Sequence, residues 1–152
     1  MTDTAIVLRR ASMSDLEQIK VCAVAAYAPY IPAIGRPPAP MVADFAALID
    51  RQCVVVAMSG QDLAGFAVFF PRGADMFLEN VAVDPRYTGQ GLGRRLIEAC
   101  ESDARRAGLS RVTLYTNEKM LGNLTLYPYL GYAETDRRTE DGFNRVYFAK
   151  DL

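Results

Sequence analysis

Residues 83–96 read VDPRYTGQGLGRRL, and this stretch decides the fold of the chain. An apolar, strand-like run precedes it, a helical pattern follows it, and glycine occupies every second position from 89 to 93. Because glycine has no Cβ, backbone N–H groups in such a loop can approach a ligand closely. A helix that begins at the loop adds its own unpaired N–H groups and the positive end of its dipole. The stretch therefore predicts an anion site, most often one for phosphate.

Other interpretations of the glycine loop fit less well. A dinucleotide site needs G-x-G-x-x-G early in a βαβ unit, with an acidic residue about 20 positions later. Here the spacing is G-x-G-x-G, three strands are predicted before the one that feeds the loop, and Glu118 follows the next strand. A P-loop needs lysine and a hydroxyl residue after the last glycine, and neither follows Gly93. A plain turn stays open as an alternative, although it would need one glycine at most.

Hydrophobic patterns predict one α/β domain over residues 1–152. Strands are predicted over residues 5–10, 53–58, 63–70, 76–83, 111–116, 132–138 and 144–150. Helices are predicted from residue 14 onward and over residues 41–50, 92–107 and 121–130. This order gives a mixed sheet with helices on both faces. Residues 29–40 hold five prolines and a glycine, which predicts a rigid loop without regular structure that packs over the domain.

Composition excludes several classes of function. The formal net charge of −1 gives no electrostatic case for a nucleic-acid partner or an anionic membrane surface. The chain has no histidine and no CxxC pair, so no metal site is expected and His-based catalytic triads are excluded. No apolar run approaches membrane-spanning length and no secretory signal is recognisable. We therefore expect a cytoplasmic protein.

Two motifs together carry a resemblance to a known family. Residues 81–96 resemble motif A of the GNAT acetyltransferases, in which Q/R-x-x-G-x-G/A binds the pyrophosphate of acetyl-CoA. Residues 127–132, YPYLGY, are similar to the Tyr-x-x-x-Gly-Phe/Tyr segment of the same family. With the element order, the resemblance extends over nearly the whole chain and implies a GNAT-type fold.

The resemblance implies acetyl-CoA as the cofactor. The pyrophosphate is expected at the loop residues Thr88, Gly89, Gln90, Gly91, Leu92, Gly93 and Arg94. The pantetheine arm is expected along the preceding strand, at Val81, Ala82 and Val83. Thr88 is a departure, since Gln or Arg is usual there. The main-chain donors survive this change, and Arg86, Arg94 or Arg95 could supply the missing charge.

The same resemblance implies direct acetyl transfer to an amine. Tyr127 matches the tyrosine that many family members use as a general acid, whereas the alternative is a core tyrosine with a satisfied hydroxyl. The N–H of Val81 is a candidate donor to the oxyanion. Glu79 is two residues before Val81, and side chains two apart on a strand point the same way. Glu79 is therefore the candidate general base, and an ordinary half-exposed strand glutamate is the alternative.

Two asparagines are candidates for hydrogen bonds to the pantetheine amides. Asn117 closes one predicted strand and Asn123 opens the following helix. The commoner asparagine of the family aligns with Met120 instead. A turn residue at Asn117 and a helix cap at Asn123 are equally good interpretations.

The acceptor site is expected between the first two helices. Its candidate residues are Tyr27, Tyr30, Ile34 and Arg36, the last of which could meet a carboxylate or phosphate. A polycationic acceptor calls for an acidic pocket, and only Asp44 and Glu79 are available there. The acceptor is predicted to be a small-molecule or peptide amine.

The function predicted from these residues is acetyl-CoA-dependent N-acetylation of a primary amine in a ternary complex. A non-catalytic acyl-CoA-binding or sensing module on the same fold is the main alternative. A nucleotide-binding protein, an O-acetyltransferase and a user of a longer acyl-CoA also stay open. Dimerisation is common on this fold, and the final hairpin could support a homodimer.

Overall fold

The computed structural model describes residues 5–152 and contains one mixed seven-stranded sheet. The strands, which lie in the order β1-β2-β3-β4-β5-β7-β6, are β1 Ile6–Arg10, β2 Val54–Ser59, β3 Asp62–Arg72, β4 Asp75–Val83, β5 Arg111–Asn117, β6 Ala133–Glu140 and β7 Phe143–Asp151. The helices are α1 Leu16–Tyr27, α2 Ile31–Ile34, α3 Phe45–Asp50, α4 Leu92–Arg106 and α5 Leu121–Tyr129. Within residues 5–152, none of these helices combines the length and the apolar character needed to cross a bilayer.

Helices cover both faces of the sheet, which confirms the predicted α/β architecture. Helix α4 packs on one face through apolar residues spaced by one turn, among them Leu92, Leu96 and Cys100. Helices α1 and α3 pack on the other face, where Ile19 and Phe45 are buried. β3 lies between these layers and buries seven consecutive residues, as a strand covered on both faces must.

Strands β4 and β5 run parallel and separate after a short paired segment. Their register joins only residues 76–78 to residues 112–114. Within the part of the chain that the structure describes, residues 79–83 of β4 have no partner on β5. β5 remains paired with β7 along its whole length. A gap therefore opens in the sheet immediately before the glycine loop.

A β-bulge lies at the start of this gap. Val68 of β3 is opposite Asn80, whereas the next residue, Phe69, is opposite Leu78. Glu79 is thus the extra residue, and a bulge of this kind changes the direction in which the following side chains point.

The proline-rich segment is more regular than predicted. It contains α2 and two 3₁₀ turns, Ala28–Tyr30 and Ala39–Val42, so the expectation of no regular structure there is wrong. Proline is compatible with these short helices because it lies in their first turn, where its missing N–H has no helical partner. The segment packs against the α1–α3 layer through Tyr30, Ile34 and Met41.

Candidate active site

A cavity lies where β4 and β5 separate. Its walls come from both strands, from α5, from β7 and from the proline-rich segment. Six residues predicted for the site line it together: Tyr27, Glu79, Val81, Asn117, Asn123 and Tyr127. These residues are distant in sequence, so the fold brings the predicted acceptor, cofactor and catalytic residues to one place.

The free edge of β4 presents main-chain groups to the gap. The N–H of Asp84 donates to the carbonyl of Ala64 on β3 at 2.9 Å. In an antiparallel ladder, alternate residues bond to the same neighbour, so the main chain of Ala82 faces β3, whereas that of Val81 and Val83 faces the gap. The side chain of Ala82 is buried in the α1–α3 layer. Of the three residues expected to hold the pantetheine arm, Val81 and Val83 thus have the available amide groups.

Glu79 is half-buried beside this edge. Burial raises the pKa of its carboxyl above the usual value, and the charge of Arg72 opposes that shift more weakly. Within residues 5–152, no hydrogen-bond donor contacts the carboxylate. The expectation that Glu79 points the same way as Val81 is wrong, because the bulge intervenes. Val81 packs toward the α4 layer, whereas Glu79 also borders a depression with Asp44 and Leu48 on the α3 side.

Tyr127 reaches the cavity from the opposite layer. Its side chain is 6% exposed and is held by the rings of Tyr132 and Phe148, with centroids at 5.6 and 5.8 Å. Burial raises the pKa of its phenol, so the proton stays on at neutral pH. Among residues 5–152, no acceptor lies within hydrogen-bond distance of its hydroxyl. Tyr127 therefore has a proton available for a ligand.

The end of α5 sets the spacing between Tyr127 and the residues that follow. Gly131 has φ +97°, a left-handed conformation that favours glycine. The N–H of Tyr132 then donates to the Tyr127 carbonyl at 2.9 Å, and the hydroxyl of Tyr132 donates to the buried Glu101 at 2.8 Å. These contacts hold the ring of Tyr132 against that of Tyr127.

The glycine loop adopts a conformation suited to anion binding. Gly89 and Gly91 have φ +81° and +73°, and Gly91 is the N-cap of α4. Within the described residues, no protein acceptor bonds to the amides of residues 89–91. The Thr88 hydroxyl donates to the carbonyl of Pro85 at 3.0 Å, so this side chain turns back into the loop.

Arginines surround the loop, but each has a protein partner. Arg86 donates to Asp84 at 3.1 Å, and Arg94 donates to Glu98 one helical turn away at 2.9 Å. Arg95 donates to a carbonyl of β1 at 3.1 Å. Arg86 is exposed in its ion pair, and both members of the Arg94–Glu98 pair are exposed; such pairs are weak enough to exchange for a phosphate.

The two asparagines line the cavity and also have local partners. The Asn117 side-chain oxygen accepts from the N–H of Lys119 at 2.9 Å, which is a turn contact. Asn123 donates to the hydroxyl of Thr116 at 3.0 Å. Met120 is buried at the start of α5.

The predicted acceptor residues lie in different surroundings. The Tyr27 hydroxyl donates to Asn80 Oδ1 at 2.5 Å and lies 3.0 Å from the Val81 carbonyl, so it is already engaged. Tyr30 and Ile34 pack on the core and do not line the cavity. Arg36 lies over the ring of Phe143 at 3.7 Å and donates to the carbonyl of Asp141, so its guanidinium fastens α2 to the last hairpin.

Sequence reasoning missed Asn80 and Arg145. Asn80 is 3% exposed and donates to the carbonyl of Pro40 at 2.9 Å, which ties β4 to the proline-rich segment. A polar residue inside the apolar run of β4 was the available signal. The side chain of Arg145 is 11% exposed and lies over the ring of Tyr115 at 4.4 Å. Nothing in the local sequence distinguishes this arginine from an exposed one.

Comparison with known proteins agrees with this geometry. The chain is 33% identical over 76 residues to the [Ribosomal protein bS18]-alanine N-acetyltransferase of Escherichia coli strain K12, covering 50% of this chain and 51% of that protein. It is 33% identical over 92 residues to the chloroplastic serotonin N-acetyltransferase 2 of Oryza sativa subsp. japonica, covering 57% and 44% of the two chains. The chain thus spans about half the length of the curated relatives it matches.

Solved structures share the fold over almost the entire chain. The ribosomal-protein-S18-alanine N-acetyltransferase of Escherichia coli superposes with a TM-score of 0.77 at 22% identity, covering 97% of this chain and 94% of that one. The PaiA N-acetyltransferase of Thermoplasma acidophilum, in complex with coenzyme A, superposes with a TM-score of 0.75 at 16% identity, covering 97% and 99%. The model of the acetyltransferase (GNAT) family matches residues 24–132. Because this match extends over more than half of the chain, the chain belongs to the acetyltransferase (GNAT) family.

Proposed function

We propose that this protein is an acetyl-CoA-dependent N-acetyltransferase that moves an acetyl group to a primary amine by direct transfer in a ternary complex. One observation carries the proposal. The gap between β4 and β5 brings a free main-chain edge, a half-buried carboxylate and a tyrosine with an unused proton into one cavity. The names of the two curated relatives, both N-acetyltransferases, favour nitrogen over oxygen as the acceptor atom.

The residues present fit the cofactor that the family uses. The amides of residues 89–91 and the N-terminus of α4 are free to bind the pyrophosphate. The N–H groups of Val81 and Val83 and the carbonyl of Val83 face the gap and are available to pair with the pantetheine arm, whereas the Val81 carbonyl lies 3.0 Å from the Tyr27 hydroxyl. Asn117 and Asn123 line the same cavity. When bound, acetyl-CoA supplies the acetyl group as a thioester.

Three groups of the chain then divide the chemistry. Glu79 accepts a proton from the acceptor ammonium, directly or through water, and its raised pKa brings it closer to that task. The N–H of Val81 donates to the oxygen that becomes negative in the tetrahedral intermediate. Tyr127 gives its proton to the departing sulfur and is reprotonated, through water, by the second proton that the acceptor nitrogen loses as the amide forms. The amine attacks the thioester carbon directly, so no acyl-enzyme is needed.

Isothermal titration with acetyl-CoA and a thiol-release assay over a panel of amines test the proposal. Tyr127→Phe should lower kcat by about 100-fold, within the range of general acid catalysis, with acetyl-CoA binding nearly intact. Tyr129→Phe is the matched control, because Tyr129 lies on the same helix and is 77% exposed. Absence of binding at millimolar acetyl-CoA would refute the proposal. Binding without turnover of any amine would favour the sensing module instead.

A further inference from the structure

Arg145 is a charged side chain inside the candidate active site without a hydrogen-bond partner. It projects from β7 and lines the cavity, with its side chain 11% exposed. The nearest carboxylate oxygens, on Glu140 and Asp141, lie 4.0 and 3.9 Å from its Nη1. Both distances exceed that of a hydrogen bond. Among residues 5–152, no acceptor therefore forms a hydrogen bond with this guanidinium.

Aromatic rings hold the Arg145 guanidinium. Its central carbon lies 4.4 Å from the ring centroid of Tyr115 and 5.5 Å from that of Phe143. Such stacking fixes the plane of an arginine and leaves its N–H groups free at the edge. The Arg145 nitrogens are not buried, and Glu140 and Asp141 pair with the charge only from 4.0 and 3.9 Å, so the N–H groups are available to a ligand. The fork of five N–H donors matches a carboxylate, which it binds through two parallel hydrogen bonds.

Glu79 and Tyr115 line the same cavity as Arg145. Both Arg145 and Glu79 act on the hydroxyl of Tyr115 electrostatically, with opposite effects on its pKa. An acceptor bound in this cavity therefore has a carboxylate and a guanidinium among the residues that surround it. A molecule with an ammonium and a carboxylate complements both.

The other arginines near this face are used elsewhere. Arg36 lies over Phe143 and donates to a backbone carbonyl, and Arg72 lies over Phe77 at 4.7 Å. Neither lines the cavity. The proline-rich segment also borders the cavity through Pro38, Ala39 and Pro40, and the Asn80–Pro40 hydrogen bond ties this segment to β4. This enclosure favours a small molecule over a long peptide.

We propose that Arg145 binds the carboxylate of the acceptor, and that the acceptor is a small amino carboxylic acid. The inference rests on the proposed function, since it names the substrate class of that same site. Arg145 takes the role that the sequence suggested for Arg36.

A matched acceptor series tests the inference. The series pairs ω-amino acids of increasing chain length with alkylamines of the same length, and kcat/KM is read by thiol release. At the best length, the amino acid should exceed its alkylamine by about tenfold or more, as expected for a charged hydrogen-bond pair. Arg145→Met should bring this ratio close to one, and Arg145→Lys, which keeps the charge without the fork, should restore part of it. Arg138→Met is the control, because Arg138 stacks on Tyr147 at 4.5 Å outside the cavity and should keep the full ratio.

Binding measured without turnover separates this inference from the proposed function. Titration of the best ω-amino acid into the CoA-bound protein should give an affinity about tenfold weaker in Arg145→Met, while thermal unfolding shows that the variant is folded. Arg145-dependent binding without thiol release would support the inference and refute the proposed function. Thiol release with equal kcat/KM for both members of every pair, or a ratio unchanged in Arg145→Met, would overturn the inference and leave the proposed function standing.

Discussion

Replacing Gly91 by alanine tests the proposed cofactor loop at one torsion angle. Gly91 has φ +73°, and a Cβ placed on it would meet no atom within 4 Å. The substitution therefore introduces backbone strain without a steric clash. A left-handed conformation costs a residue with a Cβ about 1–2 kcal/mol, and the stiffer unfolded chain returns about 0.4–1 kcal/mol. The net loss of stability should be about 1 kcal/mol, or about 2–4 °C in Tm for a chain of this size.

Binding should change more than stability. The left-handed angle at Gly91 aims the loop amides, so a shift toward negative φ would turn them away from a bound pyrophosphate. Loss of one hydrogen bond to a charged group weakens affinity by about tenfold or more. Isothermal titration with acetyl-CoA gives the Kd, and differential scanning fluorimetry gives the Tm.

Gly73→Ala is the matched control. Gly73 has φ +63° and open space around its Cβ position, but it lies between β3 and β4 outside the glycine loop. The Tm of Gly73→Ala should fall by a similar amount, and its Kd for acetyl-CoA should equal that of the unchanged protein. Equal Kd values for Gly91→Ala and Gly73→Ala would refute the assignment of the loop to the cofactor.

Two further substitutions test the core of the site. Glu79→Gln should stabilise the protein at neutral pH. Burial raises the pKa of the Glu79 carboxyl in the folded protein above its value of about 4.5 in the unfolded chain. As pH rises above that value, the unfolded chain loses this proton first, so the free energy of unfolding of the unchanged protein falls. The Tm difference between variant and unchanged protein should thus grow from pH 4 to pH 8, and a constant difference would contradict the burial argument. Gly65→Ala should cost about 1–3 kcal/mol in urea unfolding, because its Cβ would lie 2.7 Å from the Ala82 carbonyl. Gly122→Ala, on a helix with open space, should cost nothing, and a similar loss in both variants would show that the close approach is unimportant.

Local features of the site could be predicted from the sequence. The glycine loop requires a left-handed backbone at Gly89 and Gly91, and the end of α5 requires the same at Gly131. Each of these constraints is satisfied within a few residues, so the pattern of residues reveals it. The spacing between Tyr127 and Gly131 is also set locally, because about one helical turn at the end of α5 separates the two residues.

Features that depend on distant partners could not be predicted. Arg36 reaches a hairpin 105 residues away, and no local pattern distinguishes that contact from a solvated arginine or a substrate ligand. Burial of Arg145 likewise depends on Tyr115 of the neighbouring strand. In both cases the sequence shows the charge but not the ring on which it stacks.

The bulge at Glu79 bears on how β4 would contact both substrates of the proposed reaction. Leu78 faces the α4 layer, and strict alternation would send Asn80 to the same apolar layer without a hydrogen-bond partner, at a cost of about 1–3 kcal/mol. The extra residue reverses the alternation, so Asn80 instead meets Tyr27 and Pro40 on the acceptor side. Beyond it, the main chain of Val81 faces the gap, where the cofactor is proposed to bind. In the proposed reaction, the strand thus presents side chains toward the acceptor and amides toward the cofactor, and Glu79 lies at the bulge between these two segments.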